Sequence, residues 1–199
     1  MTNTGSICFG LLAGGKSSRM GADKASLNWR GQKLWQHQLR LAAEIGASEI
    51  LISGKPDGPY RDAARVVPDA IANVGPLGGL AALLNAMKSD WLVAVAVDMP
   101  FLTGETLREL LAARDDRSGV VPCIGGRAEP VAAVYPRTVQ PLISRRLQLA
   151  DRSLQSFVHE AAVAGLVRSR PWPAELAECF RSLNTSTEYA SALETQTDG

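Results

Sequence analysis

Leu11-Leu12-Ala13-Gly14-Gly15-Lys16-Ser17-Ser18-Arg19-Met20-Gly21-Ala22-Asp23-Lys24 closes and follows the short apolar run that begins at Ile7. A strand-length apolar run that breaks into three glycines and three cations has the chemistry of a phosphate cradle. Glycine lets backbone N–H groups approach phosphate oxygens without a side chain in the way, while Lys16, Arg19 and Lys24 supply positive charge. Such a loop at the end of a strand sets the expected fold, an α/β protein that binds its ligand at strand ends.

The rest of the chain continues that pattern, with apolar runs of strand length alternating with helix-period segments, as in a mainly parallel sheet covered by helices on both faces. Ile7 to Leu12, Glu49 to Ser53, Arg65 to Pro68 and Trp91 to Val97 read as strands, and the last, apolar throughout, reads as a central strand ending at Asp98. Leu34 to Ile45, stopping at Gly46, and Leu77 to Met87 read as helices. Thr103 reads as the cap of a third helix, with capping-box spacing to Thr106 but without the acid. Val120 to Pro122 and Val131 to Tyr135 read as strands around Gly125-Gly126-Arg127, and Thr138 to Leu149 as a helix. The fold class expected is a single doubly wound, Rossmann-like domain over residues 1–194, nucleotide-binding in its first half and acceptor-binding in its second, with residues 195–199 a frayed tail.

Composition narrows the function classes. The 199 residues carry 21 basic and 20 acidic side chains, a balance without the broad basic footprint of a nucleic-acid binder. No apolar stretch approaches the roughly 18 residues of a membrane span, and Met1 to Ser6 lacks the basic start of a signal peptide, so a cytoplasmic location is expected. The three cysteines, Cys8, Cys123 and Cys179, are far apart and form no CxxC, which fits free thiols.

Gly10-Leu11-Leu12-Ala13-Gly14-Gly15-Lys16-Ser17 satisfies GxxxxGK[ST], the P-loop pattern, with Asp98 in the place of its metal-binding partner. Two features argue against it. Leu11 and Leu12 extend the strand past Gly10, and Gly21 would sit inside the following helix at about 1 kcal/mol relative to alanine. The alternative takes Leu12 to Lys24 as one long cradle. Leu12, Ala13, Gly14 and Gly15 then belong to the nucleotide, with Gly14 and Gly15 close to base and sugar and Arg19 and Lys24 reaching the phosphates.

In this second form the loop resembles, nearly letter for letter, the L-A-G-G…R-M-G-x-D-K signature of the nucleotidyltransferases that activate small molecules with an NTP. Among these it resembles the molybdenum cofactor guanylyltransferases of the MobA-like NTP transferase family. The likeness continues in order through Gly31 to His37, Pro68-Asp69, Gly75-Pro76-Leu77-Gly78-Gly79-Leu80, Val97-Asp98-Met99-Pro100 and Leu183-Asn184-Thr185 with Glu188. Two positions depart: Ser53 stands where the family more often has asparagine near the base, and Ser186 replaces the proline of N-T-P.

The resemblance implies transfer of GMP from GTP to the molybdopterin-bound molybdenum cofactor, with pyrophosphate leaving and Mg2+ as cofactor. A cytidylyltransferase or a sugar-phosphate nucleotidyltransferase of the same fold is the alternative within the class, and a P-loop GTPase or kinase or a non-catalytic nucleotide-binding regulator lies outside it. Nucleotidyl transfer is in-line displacement at phosphorus, so the protein positions the partners and neutralises charge. Arg19 and Lys24 serve the triphosphate and the departing pyrophosphate, and Asp98, at the carboxyl end of the central strand, holds Mg2+. Asp69 is implied as a nucleotide contact, although an aspartate there is also a turn former. Ser53 lies near the base. The turn containing Gly78 either offers free N–H groups to the nucleotide or permits tight helix packing. Asn184 is implied near the metal and the acceptor phosphate. Arg127 suits that phosphate bidentately, and Arg152 with Ser153 is a further acceptor pair. The expected partners are GTP and molybdopterin, with transient proteins delivering or receiving the cofactor, and the expected state is a monomer or weak homo-oligomer. His37 and His159 read as structural or surface residues.

Overall fold

The computed structural model describes residues 5–14, 24–69, 71 and 74–194. In chain order the elements are β1 (Ile7–Leu12), the hairpin β2 (Asn28–Trp29) and β3 (Gln32–Lys33), α1 (Leu34–Glu44), β4 (Glu49–Ser53), β5 (Arg65–Val67), α2 (Pro76–Ala86) and β6 (Trp91–Ala96). They continue with α3 (Gly104–Ala113), β7 (Gly119–Ile124), β8 (Arg127–Ala128), β9 (Ala132–Pro136), α4 (Gln140–Arg146), α5 (Leu154–Val163), β10 (Val167–Pro171) and α6 (Ser186–Glu194).

One sheet organises the molecule, in the order β10-β7-β9-β6-β1-β4-β5, with β8 paired to β7. β5, β4, β1 and β6 run parallel, β9 runs antiparallel to β6 and β7, and β10 is parallel to β7. Side-chain alternation along β1 separates two cores. Phe9 and Leu11 join Leu34 and Leu41 of α1 and Leu107 of α3 on one face, while Cys8 and Leu12 join Leu77, Leu80 and Leu84 of α2 on the other. β6 alternates the same way, Val93 and Val95 against the first core and Leu92 and Ala94 against the second. Since α1 and α2 lie on opposite faces, the order in which strands are added reverses between β1 and β6. In open sheets, ligands bind at the carboxyl ends beside such a switch point.

Gly10 lies inside β1, opposite Leu51 of β4 and Ala94 of β6. A Cβ there would come 2.6 Å from a methyl of Leu92 and 2.9 Å from one of Leu83. The glycine serves packing, and a strand residue flanked on both sides is not the first glycine of a P-loop, so that reading is excluded. Most elements fall where the apolar periodicity put them. The segment Thr138 to Leu149 is a correction. Residues Arg137–Val139 form a 3-10 turn and α4 covers only Gln140–Arg146. Pro141 has no N–H to extend the helix backwards, and i to i+3 bonds from Gln148 and Leu149 tighten its end. The Arg146 guanidinium then ties Asp151 and Glu160, drawing the chain back into α5.

Cys8 is wholly buried on β1, and burial, aided by the charge of Glu49, pushes its thiol up to about 12. A thiol reagent at pH 8 is therefore expected to leave Cys8 unmodified until denaturant is added, while the half-buried Cys123 and Cys179 react in the native protein. Fast modification of all three would contradict this packing. No described helix is long and apolar enough to cross a membrane.

Candidate active site

The turn after β6 is built to hold Asp98 still. Val97 N–H donates to the Leu12 carbonyl (3.1 Å), and Leu183 N–H donates to the Asp98 carbonyl (2.8 Å). From α1, Gln38 Nε2 donates to the Met99 carbonyl (2.7 Å) and His37 Nε2 lies 2.9 Å from the Pro100 carbonyl. A carbonyl only accepts, so Nε2 carries the proton. Burial is the main influence on His37 and lowers its pKa, keeping the ring in the neutral form that this bond uses. The histidine is structural, as expected.

On this platform the side chains of Lys24, Asp98 and Asn184 meet, from positions remote in the chain. Lys24 Nζ donates to Asp98 Oδ2 at 2.7 Å and to Asn184 Oδ1 at 2.9 Å. The Lys24 and Asp98 side chains are each 20% exposed, sheltered yet open to a ligand. Asn184 Nδ2 donates to Ser182 Oγ (3.0 Å), which fixes the amide with its oxygen towards the ammonium. Behind it, Thr185 and Glu188 form a reciprocal capping box on α6. Thr185 Oγ1 accepts from Glu188 N–H, and Glu188 Oε2 accepts from Thr185 N–H (3.2 Å) and Asn184 N–H (2.7 Å). The bond from Asn184 N–H is the main cause of the low Glu188 pKa. Ser186 thus opens α6 without the expected proline, because the cap residues on either side of it already satisfy the helix start.

A second cluster adjoins the first across the end of β1. The Ser53 carbonyl accepts from Ala13 N–H (2.8 Å) and Gly14 N–H (3.0 Å), which folds the chain after Leu12 over the end of β4. Ser53 Oγ, fully buried, donates to Asp69 Oδ1 at 2.9 Å. The opposite wall is the start of α2, which Gly75 opens with φ +74 and Pro76 continues. A Cβ on Gly79 would sit 2.6 Å from Ser53 Oγ, and one on Gly78 would sit 3.5 Å from Asp69 Oδ2. A Cβ on Gly14 would be 4.0 Å from that same oxygen. Asp69 therefore presents a carboxylate oxygen between two glycines. This leaves a glycine-lined slot at the ends of β1 and β4, and the close approach of Gly79 to Ser53 bears out the packing reading of the α2 turn.

The expected residues divide as follows. Lys24, Asp98 and Asn184 are in contact; Leu12, Ala13, Gly14, Ser53, Asp69 and Gly78 form the adjoining slot; Gly15, Lys16 and Arg19 lie outside the described residues. Arg127 is on β8, exposed, and makes no hydrogen bond to the trio. Arg152 Nε donates to the Leu149 carbonyl (3.2 Å), and Ser153 caps α5.

Glu129, which the sequence places with Arg127 in the loop expected to meet the acceptor, stands beside Asp98. Burial, opposed by Arg127 and reinforced by the charge of Asp98, pushes its carboxyl up to about 7. A folded protein that keeps a proton which the unfolded chain has released gains nothing above that range. In EDTA, the contribution of Glu129 to stability is therefore expected to fall as pH rises from about 4.5 to 7, opposing that of His37, and Glu129→Gln is expected to shift the slope upward across this window. Denaturant melts of the two proteins across this window check it, and parallel curves would refute it.

A doubly wound sheet with a lysine, a carboxylate and an amide gathered at the switch point, beside a glycine-lined slot, defines a nucleotide-binding protein of the nucleotidyltransferase type. The profile of the MobA-like NTP transferase domain matches residues 10–165, and the chain belongs to that family. A probable molybdenum cofactor guanylyltransferase from Opitutus terrae is 36% identical over 174 residues, covering 84% of this chain and 83% of that one. A molybdenum cofactor guanylyltransferase from Pseudomonas putida is 34% identical over 160 residues, covering 78% and 84%. In fold, the chain is similar to molybdopterin-guanine dinucleotide biosynthesis protein A from Archaeoglobus fulgidus, with a TM-score of 0.75, 21% identity and coverage of 96% and 100%.

Proposed function

We propose that this chain is a Mg2+-dependent guanylyltransferase that moves GMP from GTP to the terminal phosphate of molybdenum-bearing molybdopterin, giving the dinucleotide cofactor and pyrophosphate in the cytoplasm. The observation that carries it is the Lys24 ammonium held by oxygens of Asp98 and Asn184, beside the Ser53–Asp69 slot. The relatives named for this reaction support the choice of nucleotide and acceptor.

The residues fit a hard cation. A carboxylate and an amide oxygen already hold a positive charge between them, and oxygen donors are what Mg2+ takes. Mg2+ keeps several waters and phosphate oxygens, so two protein oxygen donors suffice to hold it. When bound, Mg2+ supplies Lewis-acid neutralisation of phosphate charge, with Asp98 and Asn184 to hold it.

The base and ribose enter the slot formed by Leu12 to Gly14, Ser53, Asp69 and Gly78, which sets the α-phosphorus near Asp98. An oxygen of the acceptor phosphate attacks that phosphorus in line, the bond to the bridging oxygen breaks, and pyrophosphate leaves with the electron pair. Lys24 exchanges its carboxylate partner for the phosphates and stabilises the charge on the leaving group. Arg127, on the hairpin beside Asp98, receives the acceptor phosphate.

Pyrophosphate release with molybdenum-bearing molybdopterin in Mg2+ is the direct test. GTP is expected to support it at least tenfold better than CTP or ATP, measured as kcat/KM. A preference for CTP would make the chain a cytidylyltransferase, and release with no acceptor or nucleotide would favour a binding regulator.

A further inference from the structure

We propose that Glu129 is a further residue of the reaction centre, facing Asp98 across the place of the divalent cation and sharing in holding it. This rests on Asp98 as the metal-binding carboxylate.

The placement comes from the antiparallel pairing of β6 with β9. Val95 lies opposite Ala132, and Ala96 N–H donates to the Val131 carbonyl at 2.8 Å. Just past that pair both chains turn, Met99 N–H donating to the Ala96 carbonyl and Ala132 N–H to the Glu129 carbonyl (both 3.4 Å), so Asp98 and Glu129 lie in neighbouring turns at the same end of the ladder. Parallel neighbours contribute only strand ends of one polarity here. The single antiparallel neighbour brings a second carboxylate back to the same edge.

The backbone around Glu129 is fixed from several sides. Its N–H donates to the Pro122 carbonyl of β7 at 2.8 Å. The hydroxyl of wholly buried Tyr135 donates to the Pro130 carbonyl at 2.7 Å. Gln155 Nε2, in the first turn of α5, donates to the Ala128 carbonyl at 2.9 Å. Three elements therefore hold the three residues Ala128 to Pro130, whose one acidic side chain is half-buried. Among the described residues, the Glu129 carboxylate makes no hydrogen bond and no ion pair at contact distance, although its neighbours are satisfied.

Burying a carboxylate without a partner is costly, so a fixed one at the edge of a site is explained best by a ligand that completes it. Among the described residues, the Lys24 ammonium is committed to Asp98 and Asn184. Once a triphosphate arrives and draws Lys24 away, two facing carboxylates and an amide oxygen remain, a donor set for a hard divalent ion. Glu129 lies two residues along the chain from Arg127, so the carboxylate that would share in holding the ion adjoins the arginine assigned to the acceptor phosphate.

Mn2+ titrated by EPR into the protein with α,β-methylene GTP tests this without turnover. Glu129→Gln is expected to weaken Mn2+ binding by about tenfold or more, Glu129→Asp by less, and Asp98→Asn by more than either. Thermal melts followed by circular dichroism verify that each variant is folded. Wild-type Mn2+ affinity in Glu129→Gln with weakened affinity in Asp98→Asn would overturn the role of Glu129 and leave that of Asp98. If Glu129→Gln instead raised only the KM for the acceptor, the residue would serve Arg127 and the proposal would fall. Unchanged affinity in all variants would remove the metal from Asp98 itself.

Discussion

Asp98→Asn is expected to lower pyrophosphate release about a thousandfold, roughly 4 kcal/mol of transition-state stabilisation, while the protein stays folded. The substitution keeps the shape of the side chain. It removes one negative charge beside Lys24, where the proposed mechanism brings the cation and the α-phosphate. Stability should change little, because the lost pair with Lys24 is partly solvated, and such pairs contribute about 1 kcal/mol or less. The backbone anchors of the turn, from Leu183 and Gln38, do not involve the carboxylate and persist. Turnover above a tenth of the wild-type rate in the folded variant would remove Asp98 from the chemistry.

Lys24→Ala is expected to lower kcat about a hundredfold or more and to raise the KM for GTP, since the proposed mechanism gives the ammonium both the bound triphosphate and the departing pyrophosphate. Asp98 and Lys24 are joined at 2.7 Å, so their effects are not independent. The double variant should be close to Asp98→Asn alone, well short of the product of the two losses. Multiplicative losses would mean that the two groups act at separate steps. Lys24→Arg should recover part of the binding and less of the rate, because a planar fork cannot occupy the small space between Asp98 and Asn184 as an ammonium does. A P-loop mechanism would have made Lys16 decisive and Lys24 incidental. The position of Gly10 inside β1 already removes that option.

Much of the first half of the chain was legible without coordinates. Ile7 to Leu12, Glu49 to Ser53 and Trp91 to Val97 are apolar on both sides, as buried parallel strands must be, and all three are strands ending at the site. The departure at Ser53 was visible, but its consequence was not: a buried hydroxyl that reaches Asp69 and is overlaid by Gly79 depends on how α2 crosses β4. In the second half, Thr138 to Leu149 looked like one helix because its spacing is helical, and Pro141 with the Arg146 ion pairs shortened it.

From sequence alone came the loop chemistry, the order of strands and helices along the chain, the end of the central strand at Asp98 and the identity of Lys24 and Asn184. Apart from Asn184, which the family resemblance supplied, these are properties of local pattern, since burial period, glycine content and charge are written within a few residues. Only the tertiary structure decided that Lys24 and Asn184 close on one carboxylate, that Ser53 and Asp69 face two glycines of different elements, and that Glu129 stands beside Asp98. Those depend on strand order and on the reversed direction of β9. Pairing between distant strands is selected by the packing of the whole sheet, and no local stretch of residues encodes it.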